Sequence, residues 1–79
     1  MQIEDISALV QADITDAQVD VKIEGNHVSL RVVSAAFDGL NAVKRQQKVY
    51  ACLQQAIADG TIHAVHMQTF TPDEWQAQG

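Results

Sequence analysis

The chain has 79 residues, 47% of them hydrophobic, with five basic residues set against ten acidic ones for a formal charge of −5. That length is enough for one domain and too short for two, and the hydrophobic share is too high for a disordered chain. No apolar run approaches the roughly 18 residues of a membrane helix, and the negative balance disfavours nucleic acid, which is bound through Lys and Arg.

The first residues, Met1-Gln2-Ile3-Glu4-Asp5, carry acid where a signal peptide carries base, so the expected location is the cytoplasm. The single Cys52 cannot form an internal disulfide, which suits a reducing compartment.

Ile6, Leu9, Val10 and Ile14 recur at spacings of three and four, predicting an amphipathic helix over about residues 2–13. The period then changes. Val19, Val21 and Ile23 alternate with Asp20, Lys22 and Glu24, as on a strand with one dry face. Gly25-Asn26 is a turn signal, and Val28, Leu30 and Val32 alternate with Ser29 and Arg31 beyond it. The pair reads as a β-hairpin, with His27 opening its second strand.

Residues 34–41 form a connector with a bend at Gly39. Ala42 to Ala58 is predicted helical, with Val49, Leu53, Ala56 and Ile57 as its apolar stripe and Asp59-Gly60 as its stop. A third strand is expected over Ile62 to Phe70, starting at or just before His63. In Thr71-Pro72-Asp73-Glu74, Thr71 can cap, Pro72 fits the first helical position and Glu74 completes a capping box. The short helix so started carries Trp75, which can pack back on the core.

The order helix, strand, strand, helix, strand, helix defines an α+β fold: a three-stranded sheet with helices packed on one face. A helical crossover from the second strand to the third favours parallel pairing of those two, making the sheet mixed.

The sequence holds no Gly-rich phosphate loop, no H-E-x-x-H, no C-x-x-C and no G-x-S-x-G elbow. Cys52 lies mid-helix beside Leu53 and reads as a small packing residue. The acidic pairs Glu4-Asp5 and Asp73-Glu74 stand at helix starts, where the helix dipole accounts for them. Nothing argues for an active site, and the protein is expected not to be an enzyme.

His27 and His63 remain. If their strands lie parallel and adjacent, both imidazoles sit at one sheet end and can supply half of a four-coordinate metal site, a partner supplying the rest. Spacing alone favours the plainer reading of two half-exposed strand-end histidines. His66 is an odd number of residues from His63 and so points to the opposite face of a regular strand. Lys44, Arg45 and Lys48 fall within five positions and form a candidate basic patch.

The segment Phe37-Asp38-Gly39, followed by Val43-Lys44-Arg45-Gln46-Gln47 and Val49-Tyr50, resembles the BolA-like proteins. Ile62-His63-Ala64-Val65 and then Thr69-Phe70-Thr71-Pro72-Asp73-Glu74-Trp75 extend the match over nearly the whole chain. The wording is similar to the IbaG-type bacterial branch of that family.

The resemblance implies a single BolA-like domain over residues 1–79, with a fold similar to a class II KH domain. It implies a monothiol glutaredoxin as partner and a bridging 2Fe–2S cluster shared with glutaredoxin and glutathione, none being held by the isolated protein. The family's C-terminal-region ligand corresponds to His63 and its hairpin-loop ligand to His27, while His66 has no counterpart. Imidazole in place of thiolate raises a cluster's reduction potential, as in Rieske centres, and ligation by neutral imidazole weakens on acidification. The free chain is expected to be a monomer.

An alternative from the same resemblance is a DNA-binding transcriptional regulator using the KH-like fold and the Lys44, Arg45 and Lys48 patch. The missing G-x-x-G loop and the charge of −5 rank it lower. The patch equally suits docking of an acidic glutaredoxin surface. A purely structural interaction module without a cluster is the third class.

Overall fold

The computed structural model describes residues 2–25 and 27–78. It contains helix α1 (Ile3–Asp13), strands β1 (Gln18–Glu24) and β2 (His27–Val33), a 3-10 turn (Ala35–Phe37), helix α2 (Ala42–Ala58), strand β3 (Ala64–Phe70) and helix α3 (Pro72–Gln78). The sheet order is β1-β2-β3, with β1 antiparallel and β3 parallel to β2. The expected α-β-β-α-β-α order and mixed sheet are what the chain forms.

The hairpin follows from its alternation. Val28, Leu30 and Val32 are buried, and Val19, Val21 and Ile23 pack against the same core from β1. The register pairs Gln18 with Val33 and Glu24 with His27. Gly25 has φ of 60°, the left-handed backbone that favours glycine; Asn26, the other expected turn residue, lies outside the described residues.

Helix α2 has the expected bounds. The Asn41 side chain caps it, accepting from the Lys44 N–H at 2.9 Å. It ends at Asp59, and Gly60 follows with φ of 82°. Val49, Leu53 and Ala56 are buried in one cluster with Ile6 and Val10 of α1, Ile14 just beyond its end, and Phe37. Leu9, expected on the same stripe, is instead only partly covered, 38% of it remaining exposed. The buried face of α1 runs at steps of four, through Ile6, Val10 and Ile14, and leaves Leu9 on its flank.

Two other details differ from the sequence reading. First, β3 begins at Ala64, after His63. The Thr61 and Ile62 amides both donate to the Ala56 carbonyl, at 3.0 and 3.2 Å, so this stretch is tied to the end of α2. Ile62 is buried in the core as a result, and ladder pairing starts two residues later.

Second, α1 and α2 share one sheet face, but α3 reaches toward the other. Its Trp75 ring lies 4.2 Å from the Arg31 guanidinium, on the face that carries Asp20, Lys22 and Ser29, and packs against Phe70 in a tilted arrangement with centroids 5.4 Å apart. The buried Ser34 is satisfied: its Oγ donates to the Thr15 carbonyl at 2.7 Å and accepts from the Ala36 N–H at 3.0 Å.

Leu53 is fully buried at the centre of this core. Leu53→Ala is expected to destabilise the fold by about 2–5 kcal/mol, read as a lower urea midpoint. A loss under about 1 kcal/mol would place the core elsewhere.

Candidate metal-ligating site

His27 is the first residue of β2 and pairs with Ala64, the first residue of β3. His63 directly precedes Ala64 in the chain. Paired strands lie about 4.8 Å apart and consecutive Cα atoms 3.8 Å, so the two histidine Cα atoms are no more than about 9 Å apart. Both side chains are exposed. The parallel register therefore brings the two histidines, 36 positions apart in sequence, to one end of the sheet.

Glu24 stands opposite His27 on the hairpin. Its carboxylate is bonded to Lys22 Nζ at 2.8 Å, and that hydrogen bond holds it below the usual glutamate range. His66 pairs with Ser29 and shares the open sheet face with His27. His63, by contrast, lies at the entrance to β3, outside the ladder. Among the described residues no group of three or more His, Cys, Asp or Glu is placed to hold a metal. The sheet end thus presents two exposed imidazoles, His27 and His63, and no third such group close enough to complete a set among the described residues.

The three basic residues do not form one patch. Arg45 binds Glu74 through both terminal nitrogens, at 2.6 and 3.2 Å, and donates from Nε to the Leu40 carbonyl at 2.9 Å. Its side chain is largely buried, whereas Lys44 and Lys48 are exposed. Glu74 also completes the expected capping box, accepting from the Thr71 N–H at 2.9 Å while its own N–H donates to Thr71 Oγ1 at 3.2 Å. Arg45 is therefore the bolt between α2 and α3. No local pattern signals this contact, because the two residues are 29 apart.

Cys52 is buried, its thiol donates to the Lys48 carbonyl at 3.4 Å, and burial raises its pKa. These features agree with a packing role. On the open sheet face a shallow cavity of about 500 Å³ is lined by Asp20, Lys22, Ser29, Arg31, His66 and Gln68. Arg31 is held there between the Asp20 carboxylate and the Trp75 ring.

Fold and site together define a small α+β domain with a histidine pair at one sheet end. The family model of BolA-like proteins matches residues 1–74, and the chain belongs to that family. It is similar to the acid stress protein IbaG of Escherichia coli, 37% identical over 75 residues, which cover 95% of this chain and 89% of that protein. Among solved structures, a BolA homologue from Coxiella burnetii superposes with a TM-score of 0.81 at 27% identity, covering 96% and 97% of the two chains. A DNA-binding transcriptional regulator BolA of Haemophilus influenzae is 38% identical over 53 residues, covering 67% of this chain and 50% of that one.

The Arg45 hydrogen bond holds the Glu74 carboxyl below the usual glutamate range. A carboxylate depressed in the folded state stabilises above its unfolded pKa, and the contribution is lost as pH falls through the folded value. Glu74→Gln is therefore expected to lower Tm at neutral pH, and the gap to the parent should close as the solution is acidified below the ordinary carboxylate range. A gap independent of pH would mean that the ion pair does not hold α3.

Proposed function

We propose that the chain is a non-enzymatic iron–sulfur adaptor that binds a monothiol glutaredoxin and shares a bridging 2Fe–2S cluster with it for cluster transfer or iron and redox sensing. His63 and His27 hold one side; glutaredoxin and glutathione thiolates hold the other. What supports this reading is the placement of His27 beside Ala64, and so next to His63, at an exposed sheet end in a member of this family. Two donors with open positions suit a ligand set completed by another protein. A cluster held this way supplies one-electron redox chemistry at a potential raised by imidazole ligation.

Histidine binds iron as the neutral imidazole, so the shared complex weakens on acidification. That behaviour fits a relative named for acid stress. Exposed Lys44 and Lys48 on α2 can steer an acidic partner surface toward the chain.

Mixing the chain with a glutathione-loaded, cluster-bearing glutaredoxin is expected to change the visible absorption and circular dichroism, and His63→Ala is expected to abolish that change. Spectra unaltered on mixing would contradict the cluster role. A heterocomplex spectrum that survives His63→Ala would contradict the ligand assignment alone.

The similarity to a DNA-binding regulator favours a second reading, duplex binding through Lys44 and Lys48, with Arg45 already engaged by Glu74. It predicts a mobility shift at low salt that Lys44→Gln with Lys48→Gln removes. No shift at low salt would rule it out.

A further inference from the structure

The strand order leaves two sheet edges, on β1 and on β3. The β1 edge carries Asp20, Lys22 and Glu24, the charges by which natural edges resist pairing. The β3 edge, Ala-Val-His-Met-Gln-Thr-Phe over Ala64–Phe70, has no Asp, Glu, Lys, Arg or Pro. Apart from the Phe70 carbonyl, which accepts from Ser34 N–H, no backbone group of β3 among the described residues bonds outside its ladder with β2. Among the described residues, its outward N–H and C=O groups have no partner.

The helix layer repeats this asymmetry. α1 packs over β1 and α2 toward β3. Cys52 of α2 faces Asp13 of α1. At 100° per residue, Val43, Tyr50, Gln54 and Ile57 fall on the opposite flank, beside the β3 edge. Val43 is 61% and Tyr50 43% exposed. No acidic residue occurs between Asp38 and Asp59 or between Asp59 and Asp73, while six of the ten acidic residues lie within residues 1–24.

We propose that a second copy of this chain occupies this surface, the two β3 strands pairing antiparallel about a two-fold axis to give a six-stranded sheet. Such an axis sets α2 beside its symmetry mate, so the Val43, Tyr50 and Ile57 flanks meet as the edges pair. One self-complementary contact covers both features. Charge restricts where such a contact can form: two copies of net charge −5 repel, and the β3–α2 surface lets them meet without setting acid against acid. The contact does not depend on the glutaredoxin reading, and it departs from the monomer expected from sequence.

Sedimentation equilibrium of the full chain from roughly 10 µM to 1 mM tests it, spanning the range of a weak symmetric contact. The weight-average mass is expected to climb from 8.6 kDa toward twice that value, and added salt to strengthen the association by screening. Gln68→Lys and Tyr50→Lys, both at exposed positions, are each expected to weaken it by at least about tenfold. Gln18→Lys, on the β1 edge, is expected to leave it unchanged. A mass that stays at 8.6 kDa throughout overturns the proposal. So does a dimer that Gln18→Lys weakens as much as Gln68→Lys, or one that neither lysine on β3 and α2 affects.

Discussion

The parallel pairing of β2 with β3 is the constraint on which the rest depends. A parallel neighbour cannot be reached through a tight turn, so the chain must cross over, and α2 is that crossover. The crossover buries Val49, Leu53 and Ala56 over the sheet and fixes which face is dry. The same register sets His27 against Ala64. A slip of one residue would turn β3's Val65 and Met67 out of the core. Core packing thus fixes the site's geometry, though neither histidine takes part in the core.

The charged residues divide between holding the fold and meeting the solvent. Arg45 and Glu74 are spent on joining α2 to α3, with Thr71 sharing the same carboxylate. Arg31 fixes the other side of α3 by lying against Trp75 while paired to Asp20. Both contacts sit toward the Phe70 end of β3, away from His63. The histidine end is bare by comparison, with two exposed imidazoles and a carboxylate already engaged by Lys22. One end of the domain is thus tied down by ion pairs and ring contacts, and the other is left open to solvent.

What was legible in the sequence was local. The bounds of α2, the hairpin alternation and the Thr71–Glu74 capping box depend on residues a few positions apart, and the structure has them as read. What was not legible was set by distant contacts. The start of β3 depends on Thr61 and Ile62 binding the end of α2, Leu9 on how α1 turns toward the sheet, and Arg45 on a carboxylate 29 residues away. Ser34 looked like ordinary connector material because its partner, Thr15, precedes it by 19 residues. The histidine pair lies between these cases: each residue type and strand position could be read, but their adjacency is a property of the β2–β3 register.

The central claim is that this chain, through imidazole nitrogen, supplies ligands to a cluster it shares. Pulsed electron paramagnetic resonance of the reduced heterocomplex, prepared with the chain alone labelled with nitrogen-15 on histidine, tests this directly. The account predicts nitrogen-15 hyperfine couplings of directly bound imidazole that vanish for His63→Ala and are reduced for His27→Ala. A reduced-cluster spectrum in the same complex without nitrogen-15 coupling would contradict it.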